Sequence, residues 1–323
     1  MMTLLWTLLA IVLLLGAAHL WTRAIARAAE ATVPMPGTRL DLPGGAIHYV
    51  EAGSRDDPTL VLIHGLSGNL QHFTYAMMED LARDHHVIAL DRPGCGYSTP
   101  FNATDKGLAA QARVIGTFLD RLGVQNPVLV GHSLGGALAL AMALDRPDKT
   151  TGMALLCPLT HPVGSVPEVF KPLEITGPRL RSFLAQTLYA PMVKVLRRRN
   201  LRLVFAPEPA PEDFMTRGGG MLALCPGTFL GACTDLQASA SSIEAQVARY
   251  GTLTVPGAVL NASSDEILDP ATQGRLMTQF GLSYEELNNR GHMIPVTAPK
   301  DSADFVRRTA ARCRADGATS TGT

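Results

Sequence analysis

Neither sign of charge is in excess in this chain of 323 residues, which carries 28 Lys and Arg against 28 Asp and Glu. A protein that holds nucleic acid through its phosphates needs a basic surplus, so no nucleic-acid partner is expected. Cysteines are few and odd in number, without C-x-x-C spacing: Cys95, Cys157, Cys225, Cys233 and Cys313. Such a set predicts no metal knuckle and no disulfide framework, although Cys225 and Cys233 could pair in an oxidising compartment.

Two further signals are missing from the sequence. It contains no dinucleotide fingerprint G-x-G-x-x-G and no clustered metal ligands, so we expect neither a nucleotide cofactor nor a bound metal. Charged residues make up only 17% of the chain, against 46% hydrophobic residues. This balance is typical of a globular protein with a large core and excludes extensive disorder.

The N-terminus lacks charge altogether, since no charged side chain occurs from Met1 to Trp21. A helix of about 17 apolar residues is long enough to cross a bilayer. We therefore predict an N-terminal hydrophobic helix over residues 1–22 that acts as a membrane anchor, in a bacterial-type inner membrane. Arg23 and Arg27 follow it, which favours a cytoplasmic location for the rest of the chain. A cleaved signal peptide, giving a secreted or periplasmic protein, is the alternative.

Apolar runs alternate with helical patterns along the remaining chain. Helices are indicated at 108–122, at 134–144 and from near Pro299, and the strand-like segments are 46–53, 59–65, 87–94, 127–133, 151–158, 255–265 and 282–289. This alternation predicts an α/β fold with a mostly parallel central sheet and helices on both faces.

The alternation stops between residues 159 and 235, where Pro- and Gly-rich stretches surround one strongly helical piece. The interval is too long for an ordinary connection, so we interpret it as a helical insertion over the sheet. The core of the fold then comprises residues 38–158 and 236–313, and residues 314–323 are expected to be a disordered tail.

The pentapeptide Gly131-His132-Ser133-Leu134-Gly135 follows a strand and opens a helix. Its G-x-S-x-G pattern is typical of a nucleophile elbow, in which a sharp turn exposes the serine hydroxyl and small neighbours prevent collisions. Ser133 is therefore the candidate nucleophile, with Gly131 and Gly135 as the small residues of the elbow.

A serine nucleophile needs a base, and His292 is the best placed histidine because it follows the last predicted strand. His72, His85 and His86 are expected to be solvated instead. Asp265, at the end of the strand 255–265, is the expected carboxylate that orients the imidazole. Its rivals are two neighbouring acids, Glu266 and Asp269.

An acyl-transfer site also needs N–H donors for the oxyanion. The backbone of Leu134, directly after the serine, is one candidate. The second is expected from the loop HGLSG at residues 64–68, where Leu66 is the favoured donor, and His64 and Gly65 are expected to shape that loop.

Together these segments resemble the α/β-hydrolase superfamily, in particular its cap-bearing branch of serine esterases, lipases and carbon–carbon bond hydrolases. The resemblance covers residues 46 to 312 and rests on LVLIHGLSG, VIALDRPGCGYS, LVGHSLGG, NASSDEILDP and GHMIPVTAP, in that order. It implies an eight-stranded sheet, a mobile cap at 159–235 and a Ser133–His292–Asp265 triad. Ser133 distinguishes the chain from haloalkane dehalogenases and epoxide hydrolases, whose nucleophile is an aspartate.

The expected function is that of a serine hydrolase that cleaves a carboxylic ester, of a small molecule or a lipid, through an acyl-enzyme. A carbon–carbon bond hydrolase acting on a diketone-type substrate is the alternative within enzymes. A ligand-binding receptor or scaffold on a retained hydrolase fold is the alternative outside them, since fold alone does not specify function.

Overall fold

The computed structural model describes residues 1–101 and 106–320, with the backbone alone for residues 316–320. Its single sheet has eight strands in the order β1-β2-β4-β3-β5-β6-β7-β8. β1 pairs with β2 and β2 with β4 in antiparallel fashion, and every other pairing is parallel. The strands are β1 Thr38–Leu42, β2 Gly45–Ala52, β3 Thr59–Ile63, β4 His86–Leu90, β5 Val128–His132, β6 Gly152–Leu156, β7 Gly257–Ala262 and β8 Ser283–Leu287.

Eleven α-helices lie in the described part of the chain. They are α1 Met2–Thr32, α2 Gln71–Thr74, α3 Met78–Leu81, α4 Leu108–Leu122, α5 Leu134–Asp145, α6 Pro178–Thr187, α7 Tyr189–Phe205, α8 Pro226–Val247, α9 Pro270–Gln273, α10 Ile294–Thr297 and α11 Pro299–Ser320. Short 3₁₀ segments occupy Pro147–Lys149, Glu168–Leu173, Gly220–Leu224, Tyr250–Thr252 and Arg275–Phe280.

Both faces of the sheet are covered, as the continuous apolar strands require. Alternate side chains of β3 point to opposite faces: Val61 and Ile63 pack with α4 and α5, whereas Leu60 and Leu62 pack with α3 and α11. The predicted α/β fold with a mostly parallel sheet is therefore confirmed. β1, whose TRLDL sequence is largely polar, is an additional edge strand that the apolar pattern did not reveal.

The first helix is longer than its apolar stretch. α1 continues ten residues beyond the predicted end at residue 22, to Thr32. In this extension Thr22, Ile25 and Ala29 are buried, because they recur on one helix face that packs against α6, α7 and the segment Gly220–Leu224. Twelve of residues 2–21 are exposed large apolar side chains. Within the described chain, α1 is the one helix with the length and hydropathy to cross a membrane.

Two expected boundaries fall inside helices. The helical insertion is expected at 159–235, but α8 runs unbroken from Pro226 to Val247, and its second half packs against α4 and α5 of the core. Residues 314–320, expected to be a disordered tail, continue α11 to Ser320, and residues 321–323 lie outside the described residues.

All five cysteines are free thiols. Cys225 and Cys233 stand at either end of two turns of α8, about 12 Å apart at 1.5 Å per residue, too far for a disulfide.

Candidate active site

Ser133 stands between β5 and α5 in a strained backbone conformation, with φ 54° and ψ −123°. A non-glycine residue rarely adopts a positive φ, and such strain is kept where function uses it. Serine at the first position of a helix usually caps it with its hydroxyl, but the Ser133 side chain makes no cap hydrogen bond. The hydroxyl is therefore left available to the cavity that Ser133 lines.

The glycines of this turn are required by close backbone approaches. A Cβ at Gly135 would lie 1.9 Å from the carbonyl oxygen of Ile63, and one at Gly131 would lie 2.5 Å from the carbonyl oxygen of Gly135. Both contacts are with backbone atoms, which cannot move aside. β5 and α5 can thus meet at a sharp corner only with glycine at these two positions.

His292 and Asp265 come together as the sequence predicts. His292 Nδ1 donates to Asp265 Oδ2 over 2.7 Å, and both side chains are buried. The other carboxylate oxygen accepts the backbone N–H groups of Ile267 and Leu268, at 2.8 and 2.9 Å. These three hydrogen bonds fix the carboxylate, and the carboxylate fixes the imidazole tautomer so that Nε2 remains free to take a proton. His292 lines the same cavity as Ser133.

The rival acids have other roles. Asp269 caps α9, where its carboxylate accepts the N–H groups of Ala271 and Thr272. Glu266 is exposed. Of the three neighbouring carboxylates only Asp265 reaches His292.

The loop after β3 lies against the serine. A Cβ at Gly65 would sit 2.8 Å from Ser133 Cβ and 3.3 Å from its Oγ. The next residue, Leu66, lines the cavity, and its N–H donates to no atom among the described residues. Leu134 is the first residue of α5, so its N–H has no acceptor within the helix. Leu134 follows Ser133 in the chain, and Leu66 follows Gly65, which lies against the serine. That their N–H groups hold an oxyanion stays a prediction.

A buried arginine that the sequence reading did not single out organises this loop. Arg92 donates from Nε to the carbonyl oxygen of His64 and from Nη2 to that of Gly65, at 2.9 and 3.0 Å. Its Nη1 lies 2.7 Å from Oδ2 of Asp235, on α8. Gln111 joins the two by accepting from Arg92 and donating to Asp235. Through Arg92, the conformation of the loop at residues 64–68 depends on the position of α8.

Three other histidines surround the site, and all are buried. His64 donates through Nδ1 to the carbonyl oxygen of Gly65 and accepts through Nε2 from the N–H of Arg92. His132 donates through Nε2 to the carbonyl oxygen of His292 at 3.0 Å, and its ring borders the same cavity as the serine. Burial holds the pKa of both rings well below the ordinary value. Both rings are therefore neutral at pH 7, and the hydrogen bonds of His64 join the loop 64–68 to the backbone of Arg92.

His72 is the third, and the expectation that it is solvated is wrong. Its ring is buried, lines the cavity with Ser133, and has no hydrogen-bond partner for Nδ1. Burial lowers its pKa to about 4. His85 and His86 are buried as well, against expectation. The short helices after β3 fold back over the sheet, and a reading of local sequence alone does not reveal that packing.

Two cavities meet at Ser133. One of about 190 Å³ extends under α7, where Met192 and Leu196 line it. The other, of about 230 Å³, extends toward α8 and is lined by Leu159 and Ile243. Leu66, Phe170 and Ile267 border both cavities together with the serine. The site can therefore hold a substrate with an apolar group on either side of the reacting atom.

Cys157, Asp265 and His292 place potential metal ligand atoms within 4.8 Å of one another. Their chemistry does not suit a cation, because a metal would have to displace the Nδ1–Oδ2 hydrogen bond. Burial, together with Asp265, also raises the pKa of the Cys157 thiol well above its ordinary value, so the thiolate that a metal binds is disfavoured.

The fold agrees with the comparison to known families. The model of the alpha/beta hydrolase fold matches residues 58–299, about three quarters of the chain. The chain belongs to this family.

Two curated relatives, one named as a hydrolase and one as an acetyltransferase component, resemble parts of it. The chain is 32% identical over 190 residues to 2-hydroxy-6-oxononadienedioate/2-hydroxy-6-oxononatrienedioate hydrolase of Paraburkholderia phymatum, covering 56% of this chain and 63% of the relative. It is 34% identical over 119 residues to the dihydrolipoyllysine-residue acetyltransferase component of the acetoin cleaving system of Cupriavidus necator, covering 37% and 31%. The chain thus spans less than two thirds of either relative.

Among solved structures, a membrane phospholipase A described as a bacterial virulence factor superposes with a TM-score of 0.66 and 22% identity. The superposition covers 97% of each chain. At this level of identity the likeness establishes a shared fold.

Proposed function

We propose that the protein is a serine hydrolase that cleaves a carboxylic ester through an acyl-enzyme. Ser133 is the nucleophile, His292 the general base and then the acid, and Asp265 the group that holds the imidazole in place. The observation that carries the proposal is that the hydrogen-bonded pair His292–Asp265 shares a cavity with a serine held at φ 54° and with its hydroxyl uncapped. An ordinary turn serine has no reason to keep this strain.

The chemical steps follow from these positions. His292 Nε2 takes the Ser133 proton as the oxygen attacks the ester carbonyl, and the N–H groups of Leu66 and Leu134 stabilise the tetrahedral oxyanion. The imidazolium returns the proton to the leaving alcohol. Water, deprotonated by His292, then attacks the acyl-enzyme, and Ser133 leaves with the proton as the acid departs.

The two apolar cavities support an ester with a hydrophobic group on each side, such as a lipid ester. We further propose that α1 anchors the protein in a membrane, because its residues 2–21 are exposed and apolar over a length that spans a bilayer. An anchored enzyme with apolar cavities would meet its substrate in the lipid phase.

A second candidate is hydrolysis of a carbon–carbon bond in a diketone-type substrate. The Paraburkholderia relative favours it, since its name gives a substrate with two carboxylates, and Arg197 and Arg199 border the cavity under α7. The same triad residues would serve both reactions.

Turnover of p-nitrophenyl esters of rising chain length, beside a vinylogous 1,5-diketone, tests the proposal. We expect the full chain in detergent micelles to hydrolyse the esters, with a preference for longer acyl chains, and Ser133→Ala to lower kcat by at least about 10⁴-fold. Turnover of the diketone alone would favour the second candidate. Ester hydrolysis undiminished in Ser133→Ala would refute the nucleophile.

A further inference from the structure

Helices α6 and α7 form an exposed surface that is both basic and apolar. Their span, residues 178–205, holds seven Lys and Arg and not a single Asp or Glu, in a chain whose charges balance overall. The same two helices carry six exposed large apolar side chains: Leu180, Phe183, Leu188, Met192, Val195 and Leu196. We call these two helices the α6–α7 surface.

The apolar side chains are exposed to an extent that folding alone does not explain. Val195 is 80% exposed and Leu188 49% exposed. Leu188, Met192 and Val195 recur at spacings of four and three, so they share one face of α7. An exposed patch of this kind next to a basic cluster marks an interaction site.

The basic side chains are largely unpaired. Arg199 pairs with Glu168, and Arg181 donates to Gln237. Among the described residues, Lys194, Arg197 and Arg198 form no ion pair. The positive charge of the surface is thus left for a negatively charged partner.

The position of α1 indicates which partner. His19 donates to the carbonyl oxygen of Gln186, and Thr22 to that of Thr187, at 3.0 and 2.6 Å. These bonds set the end of α6, and Leu188 directly after it, beside the point where the apolar stretch of α1 ends. From there back to Met2 the helix rises about 26 Å, close to the thickness of a bilayer core.

We propose that the α6–α7 surface docks on the leaflet in which α1 ends, with its apolar side chains among the acyl chains and its basic side chains on anionic phospholipid headgroups. Basic residues with apolar neighbours at a helix surface are the chemistry that this interface selects. Because Met192, Leu196, Arg197 and Arg199 also border the cavity of Ser133, docking brings that cavity against the lipid. The inference rests on the proposed membrane insertion of α1.

The test measures the depth of a fluorophore and needs no turnover, so its failure is distinct from failure of the proposed hydrolase. In the full chain carrying Ser133→Ala and Cys225→Ser, Val195→Cys is labelled with an environment-sensitive dye. The matched control carries the dye at Gln125→Cys, an exposed position before β5, at the amino ends of the parallel strands and away from the carboxyl ends that carry Ser133. Both are reconstituted in phosphatidylcholine vesicles, with or without phosphatidylglycerol, and floated on a density gradient.

We expect both proteins to float with the vesicles, and spin-labelled lipid to quench the dye at Val195→Cys but not at Gln125→Cys. Quenching should be stronger with phosphatidylglycerol. Adding Lys194→Glu and Arg198→Glu should weaken docking by about fivefold per residue, since each basic residue contributes about that factor at an anionic surface. The control pair Arg121→Glu and Arg312→Glu, also exposed, should leave the quenching unchanged.

Equal quenching at the two sites, no dependence on phosphatidylglycerol, or failure to float would each overturn the proposal. Dye fluorescence at Val195→Cys that depends on protein concentration in lipid-free micelles, together with cross-linking between copies, would assign the surface to a second copy of the chain and overturn it as well.

Discussion

Arg92 and Asp235 form a fully enclosed ion pair, with Nη1 and Oδ2 2.7 Å apart, between the loop after β4 and the helix α8. The guanidinium also holds the carbonyl oxygens of His64 and Gly65. Any movement of α8 therefore acts on the loop that carries the Leu66 N–H. This pair makes α8 part of the proposed catalytic machinery.

Removing Asp235 leaves a buried guanidinium without its counter-charge. We expect Asp235→Ala to lower the free energy of unfolding by about 3–5 kcal/mol and to lower kcat, because Arg92 no longer fixes the loop. Urea unfolding and ester turnover measure the two effects. The control Asp145→Ala removes a partly exposed pair with Arg249 and should cost less than about 1 kcal/mol. Similar losses in both variants would contradict this role.

The role of Asp265 in orienting His292 can be tested against Asp269, a carboxylate four residues further along the chain. Asp265→Asn keeps the shape but offers an amide donor to His292 Nδ1, which favours the wrong tautomer, so we expect kcat to fall by about 10⁴-fold. Asp269→Asn alters only the cap of α9 and should retain kcat, with a stability loss of at most about 1 kcal/mol. Steady-state kinetics of the two variants decide, and comparable kcat values would remove Asp265 from the triad.

The close approach of Gly65 to Ser133 predicts that adding one methyl group at residue 65 lowers activity. In Gly65→Ala the new Cβ would lie 2.8 Å from Ser133 Cβ, so the loop must shift and Leu66 N–H with it. We expect a loss of about 1–3 kcal/mol of transition-state stabilisation, seen in kcat/KM. Gly227→Ala, whose Cβ meets nothing within 4 Å, should leave kcat/KM unchanged. Unchanged kcat/KM in Gly65→Ala would show that the loop does not hold the oxyanion.

The lowered pKa of the buried His72 predicts that the folded protein loses stability in acid. Burial lowers its pKa from 6.5 to about 4, so the unfolded chain binds a proton that the folded chain does not between these pH values. The stabilisation present above about pH 6.5 is therefore lost as the pH falls toward 4, on the order of 3 kcal/mol in all.

His72→Phe removes this titration. Between pH 7 and pH 5 the wild-type free energy of unfolding should fall by about 2 kcal/mol more than that of His72→Phe. Urea unfolding followed by circular dichroism at the two pH values provides the comparison. His64 and His132 remain in both proteins, so parallel pH dependence would mean that the His72 ring takes up its proton as readily in the folded chain as in the unfolded chain.

Local pattern predicts most of the sheet and the elbow. α4 begins and ends where its apolar stripe does, at Leu108 and Leu122, and β5 and α5 adjoin Ser133 as the G-x-S-x-G pattern requires. The His292–Asp265 contact was also predictable, because both residues follow strands whose carboxyl ends share one edge of the sheet.

What depends on distant packing was not predictable. Arg92 and Asp235 are 143 positions apart, and only the folded insertion brings them together. The continuation of α1 to Thr32 has no apolar run that marks it in the sequence. It is held by the face with Thr22, Ile25 and Ala29, which packs against α6 and α7. The polar sequence QHFT predicts that His72 is exposed. It is buried by packing with parts of the chain that lie far from it in the sequence.

The most direct test is to trap the covalent intermediate. The full chain is mixed with an excess of a long-chain p-nitrophenyl ester, quenched in acid within the first turnover, digested and examined by mass spectrometry. We predict one acylated peptide, modified at Ser133, and none in Ser133→Ala. Steady ester turnover with no acyl group on Ser133, or with the group on another side chain, would contradict the account.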